Sequence, residues 1–168
     1  MLVFDLRTLA EAVRVDDELM PDDSVWEAGD PTPSEPVRVT GRLSPAGVSG
    51  DRFYFSGHVT GSVLDTCRRC LTDVSTTIDE KVQLLFVAAD ADEADEPDVF
   101  VFDPRGRDLD MRPAIREQWL LSVPCFALCR EECKGLCATC GADLNAGPCE
   151  CARPIDDRWA ALRAVQKS

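Results

Sequence analysis

Histidine is almost missing from this sequence, with His58 the only one. Hydrolytic zinc sites keep one position open for water and usually draw some of their other ligands from histidine. That chemistry is therefore not expected. His58 lies in an alternating stretch with no partner for catalysis in view, and reads as a hydrogen-bonded strand residue. Also missing are a Gly-rich phosphate loop ahead of a lysine, a Ser/His/Asp set and a dinucleotide fingerprint. The sequence does not read as an enzyme, and no small-molecule substrate is expected. No apolar run approaches the ~20 residues of a membrane span. The opening residues Met1 to Arg7 lack both the basic segment and the long apolar core of a secretory signal. The expectation is a soluble, cytoplasmic chain with no membrane partner. Positive charge is scarce too, with 18 Lys and Arg against 31 Asp and Glu for a formal charge of −13. Two base-free runs, Asp16 to Asp30 and Asp90 to Asp98, account for the whole imbalance. Such acidity argues against broad, non-specific phosphate binding while leaving room for a local basic face.

What the chain has in quantity is cysteine, nine in all. Seven fall between Cys125 and Cys151, at Cys125, Cys129, Cys133, Cys137, Cys140, Cys149 and Cys151, and two form the upstream pair Cys67-x2-Cys70. A reducing compartment keeps thiols free, so close pairs favour metal over disulfide. Thiol redox chemistry and an iron–sulfur cluster are the alternatives. Two cysteines at a tight turn present both sulfurs on one side of the backbone, and Gly141 after Cys140 lets the chain turn while N–H groups face the sulfurs. With four thiolates and no histidine beside them, a closed tetrahedral site for zinc is expected. Eight ligands divide into two sites, for two zinc ions per chain. Cys137, Cys140, Cys149 and Cys151 would form one, as two facing knuckles. Cys67 and Cys70 with Cys129 and Cys133 would form the other, the Cys-x3-Cys spacing placing both thiols on one side of a turn. Cys125 is left over and reads as a small buried apolar residue.

At 168 residues the chain suits a single domain. Residues 1–105 read as mainly β, 106–124 as a helix, 125–151 as the zinc-binding module and 152–168 as a C-terminal helix. A short strand opens the chain. Asp16 to Glu35, acidic and broken by Pro21, Pro31 and Pro33, is expected to lack regular structure, with Trp26 docking it on the core or meeting a partner. Val37 to Arg42, Phe53 to Val63 and Val74 to Val87 alternate or run β-rich as strands, which puts Cys67 and Cys70 in a hairpin turn. Val99 to Phe102 is a further strand. Asp108 or Asp110 would cap a helix to about Leu121, burying Ile115 and Trp119 while Arg112 and Arg116 stay wet. Ile155 to Val165 would be the last helix. The result is an α+β chain with a mainly antiparallel β-sheet, open or barrel-like, two helices and a C-terminal Cys-rich module.

The cysteine spacing carries a resemblance. Cys133-Lys134-Gly135-Leu136-Cys137, Cys140-Gly141, Leu144-Asn145, Cys149-x-Cys151 and Asp157-Arg158-Trp159 resemble the bacterial YceD family, the large ribosomal RNA subunit accumulation proteins. Cys67-Arg68-Arg69-Cys70-Leu71 and Asp108-Leu109-Asp110 match as well, so the likeness runs from about Val37 onward. Ala138 departs from the proline often found there, which loosens the turn without removing a ligand. The resemblance implies a non-enzymatic role in large ribosomal subunit biogenesis, the partner being a large-subunit precursor. Contact with ribosomal RNA would use a basic face drawn from Arg68, Arg69, Arg105, Arg107, Arg112, Arg116 and Lys134. Alternatively, the acidic runs would hold a basic ribosomal protein. An unrelated zinc-dependent interaction module and a zinc–thiolate redox sensor are the other classes open.

Overall fold

Alternating apolar residues build the central sheet. A computed structural model describes residues 2–47, 50–97 and 99–151. Its strands are β1 (Val3–Asp5), β2 (Val13–Leu19), β3 (Val37–Pro45), β4 (Arg52–Thr66), β5 (Asp73–Ala88), β6 (Val99–Phe102) and β7 (Asp108–Asp110), with a 3-10 turn at Leu6–Thr8 and a helix α1 at Arg112–Ser122. Five strands form one sheet in the order β2-β3-β4-β5-β6, antiparallel except where β6 runs parallel to β5. Among the described residues β2 and β6 do not pair, so the sheet is open rather than a barrel. β1 and β7 pair as a separate two-stranded ribbon.

One face of the sheet is apolar. Val39, Leu43, Phe55, Val59, Val82 and Leu84 are buried on it, and α1 covers it with Ile115 and Trp119. Full burial of such side chains stabilises by roughly 1.5–3 kcal/mol each. Backbone without side chains receives the aromatic rings. Gly41 and Gly57 stand opposite one another, and a Cβ on either would meet the Phe55 ring at 2.8 and 2.6 Å. A Cβ on Gly61 would meet Trp119 at 2.8 Å.

Three expectations are corrected here. The acidic stretch is not wholly irregular, because its first part is strand β2. Val15 and Leu19 point inward from β2 while Asp16 and Glu18 face water, and the strand pairs with β3 along its full length. Pairing with an amphipathic neighbour outweighs the low strand propensity of Asp and Glu. Asp108 and Asp110 are not helix caps but belong to β7, with Met111 at the N-cap position making no side-chain cap bond. Asp110 still accepts the Arg112 backbone N–H at 3.0 Å. Nor do Arg112 and Arg116 stay wet, being paired with the segment after β2. The expected Ile155–Val165 helix lies outside the described residues.

That segment crosses α1 as a strap. The Trp26 indole N–H donates to the Met20 carbonyl at 2.8 Å, and its ring meets Trp119 edge-on at 6.3 Å. The Trp119 N–H donates to the Pro31 carbonyl at 2.8 Å. Arg116 reaches Asp30 at 2.7 Å and Glu27 at 3.2 Å, while Arg112 reaches Asp23 at 3.4 Å. Arg116 holds the Asp30 carboxyl below its ordinary 3.8, helped by the Glu27 backbone N–H. A carboxylate depressed in the folded state contributes stability above its unfolded pKa and loses it as pH falls through the folded one. The strap should therefore stay closed from neutrality to about pH 4 and loosen only below. Tryptophan fluorescence followed through an acid titration checks this. A transition between pH 5 and 7 would contradict it.

Candidate metal centres

Both cysteine groups are built on the same backbone turn. In the β4–β5 hairpin, Cys67 N–H donates to Thr72 O and Leu71 N–H to Cys67 O, each at 2.8 Å. In the C-terminal segment, Cys137 N–H donates to Ala142 O at 2.8 Å and Gly141 N–H to Cys137 O at 2.9 Å. Leu71 and Gly141 thus hold equivalent places, four residues after the first cysteine, with φ of 59° and 73°. Glycine meets that left-handed demand freely, whereas leucine is strained there by about 1–2 kcal/mol.

These turns gather two quartets of sulfur. Cys67, Cys70, Cys129 and Cys133 lie together, as do Cys137, Cys140, Cys149 and Cys151, with all sulfurs of a group within 4.8 Å of one another. The Cys67–Cys133 separation is 3.9 Å and the Cys70–Cys129 separation 3.6 Å. A disulfide would need about 2.05 Å, so these pairs are not bonded. A tetrahedral ion with metal–sulfur bonds of ~2.3 Å sets its sulfurs ~3.8 Å apart. The first quartet matches that edge.

The thiol acidities fit a cation site. The Cys129 backbone N–H, aided by those of Cys70 and Arg69, lowers the Cys67 thiol to about 6 against the effect of burial. The backbone N–H groups of Cys140 and Thr139 lower Cys137 to about 6. In contrast, hydrogen bonding with Cys133 and Cys70 pushes Cys129 up to about 12, and that with Cys140 does the same to Cys151. Four crowded sulfurs do not all ionise unaided, because like charges disfavour one another. A bound cation removes that penalty.

The two cysteine-bearing turns touch one another. Gly135, φ +74°, lies against the Arg69 carbonyl, which a Cβ would approach to 2.7 Å, and Leu136 N–H donates to the same oxygen at 3.0 Å. Asn145 ties the quartets together. Its amide donates to the Cys133 sulfur at 3.5 Å and its oxygen accepts the Lys134 N–H at 2.9 Å. Sequence reasoning assigned no role to Asn145, although it sits in the motif. Thr72, whose hydroxyl is 3.2 Å from the Cys70 sulfur, also went unmarked. Cys125 is exposed rather than buried. Pro124 ends α1 just before it, and Ala127 takes the buried place instead.

Three of the basic candidates are engaged within the chain. Arg69 donates to the carbonyls of Glu131 and Cys133 at 3.1 and 2.9 Å, a bracing role. Arg112 and Arg116 hold the strap. Arg68 lies over the Phe126 ring at 3.8 Å. Lys134, Arg105 and Arg107 are exposed, the last 4.0 Å from Asp5.

The family model described as "Large ribosomal RNA subunit accumulation protein YceD" matches residues 55–166, which include all of both quartets. The chain belongs to the YceD family. An uncharacterized protein of Mycobacterium tuberculosis is 32% identical over 111 residues, covering 64% of this chain and 52% of its own length. The YlbN protein of Bacillus subtilis is 29% identical over 134 residues, 79% of this chain and 75% of that one. The chloroplastic "Large ribosomal RNA subunit accumulation protein YCED homolog 1" of Arabidopsis thaliana is 36% identical over 64 residues, 38% of this chain and 20% of its own. The chain spans about half the length of the first curated relatives it matches. No solved structure gives a significant match. Among the described residues, this YceD-family chain has no helix long and apolar enough to cross a membrane.

Proposed function

We propose that this protein is a non-enzymatic factor in the accumulation of large-subunit ribosomal RNA, folded around two structural zinc ions. Cys67, Cys70, Cys129 and Cys133 hold one ion, and Cys137, Cys140, Cys149 and Cys151 the other. The observation that carries this reading is the pair of all-cysteine quartets, each with its sulfurs within 4.8 Å of one another, inside the segment the family model matches. Four thiolates fill a zinc ion's coordination and leave no position for an activated water, so the metal's role is to fold the chain. The plant relative's name supplies the ribosomal RNA half of the reading.

Direct contact with RNA is favoured over holding a basic ribosomal protein. The acids needed for holding are partly spent within the chain: Asp16 on Arg38, Asp23 on Arg112, Asp30 on Arg116 and Glu93 on Arg52. Co-sedimentation of the tagged protein in a low-salt ribosome gradient tests the choice. Comigration with large-subunit precursors that is lost at higher salt is expected. A light fraction holding one basic ribosomal protein, or free protein alone, would contradict RNA contact.

A further inference from the structure

The solvent face of the sheet carries a basic strip that the sequence motifs do not mark. Arg14 of β2 stands directly opposite Arg42 of β3, which in turn faces Ser56 of β4, and Ser56 faces Gln83 of β5. Residues paired across antiparallel strands share a face, so these four make one row. The neighbouring row brings His58 of β4 opposite Lys81 of β5. On the other side of the first row stands Tyr54, opposite Ser44. Arg14, Arg42, Tyr54, His58 and Lys81 are all exposed.

Two features set this strip apart in a chain of formal charge −13. First, like charges directly opposite in a sheet are destabilising, yet Arg14 and Arg42 meet without an acid between them. The nearest carboxylate, Asp16, lies 3.7 Å from Arg14 but is hydrogen-bonded to Arg38 at 2.9 Å. Second, neither Arg42 nor Lys81 has an acidic partner among the described residues, whereas Arg38, Arg52, Arg112 and Arg116 all do. Of the other acids on this face, Asp79 lies 3.2 Å from His58 and Glu18 stands opposite Arg38. Unspent cations, hydroxyl and amide groups between them and one exposed aromatic ring match what RNA presents: phosphates, sugar hydroxyls and the face of an unpaired base.

We propose that this strip is an RNA-binding surface. Arg14, Arg42 and Lys81 contact phosphates along one strand, and Tyr54 stacks an unstacked base. Arg42 and Lys81 sit two strands apart, about 10 Å at the usual strand spacing, so they take different phosphates. The inference rests on the reading of the protein as a partner of ribosomal RNA. It moves the contact from the knuckle, where Arg68 and Lys134 sit, to the sheet.

The test uses the full zinc-loaded chain and a labelled single-stranded transcript of large-subunit ribosomal RNA, with binding followed by anisotropy across a salt series. The double variant R42E/K81E should weaken binding at least about tenfold. The neutral pair R42Q/K81Q should lower the salt slope by about one unit per lost phosphate contact. Y54A should weaken binding with the salt slope unchanged. R68E/K134E carries the same charge change and should bind nearly as the wild type does. Circular dichroism and zinc content show whether each variant is folded, and the neutral pair serves if the reversed one is not. Loss in the knuckle pair alone, or equal loss in both pairs, overturns the inference while leaving RNA contact standing. A wild-type chain that binds no RNA, or only a basic ribosomal protein, overturns both.

Discussion

Stripping metal with a strong chelator should unfold residues 125–151 and fray the β4–β5 hairpin tip while leaving the rest of the sheet folded. Structural zinc contributes roughly 10–16 kcal/mol of apparent binding energy in small peptides, as much as the ~5–15 kcal/mol that holds a typical domain together. Nothing else among the described residues could replace it locally. The apolar core runs from Leu2 to Trp119 and contains no cysteine, and the segment after α1 offers little more than Ala127 and Cys133 as buried residues. The core is complete without the metal, so the loss should be local. Limited proteolysis checks this directly. New cleavage after about Pro124, with a protected fragment up to that point, is expected. Unchanged resistance would mean that the quartets are not metal sites, and global digestion would mean that the core depends on them.

Trp119→Ala should be the most damaging change outside the cysteines, costing about 3–5 kcal/mol by large-to-small truncation. Trp119 is fully buried, lies on Gly61, meets Trp26 edge-on and donates its indole N–H to the Pro31 carbonyl. Its removal would leave a cavity under α1, strand that carbonyl and detach the strap. Trp119→Phe should cost less, since a ring remains and leaving the Pro31 carbonyl without its donor costs about 1–3 kcal/mol. Urea unfolding of both variants gives the ordering. A Phe variant as unstable as the Ala variant would place the stability in the hydrogen bond rather than in packing.

How much of this was legible in the sequence depended on where each residue's partner lay. β3, β4 and β5 could be read because their alternation is local and one face is buried. The division of eight cysteines into two groups was also readable, since each pair's spacing marks its turn. β2 was hidden because Asp16, Asp17 and Glu18 read as part of an acidic run, although Val13, Val15 and Leu19 keep the strand period. β7 is three residues long and its aspartates resemble helix caps, while its partner β1 lies far back in the sequence. The pairing of Arg112 and Arg116 with the strap could not be read, because Asp23 and Asp30 lie 89 and 86 residues away. The basic strip on the sheet was invisible for the same reason. Arg14, Arg42 and Lys81 are scattered along the chain and meet only through strand register.

The most direct test of the central claim is the metal content of the purified chain, by elemental analysis with native mass spectrometry. Two zinc ions per chain are expected, with Cys67→Ser and Cys137→Ser each losing a different one. A single ion that Cys67→Ser leaves untouched, or cysteines recovered as disulfides without metal, would contradict the two-site account.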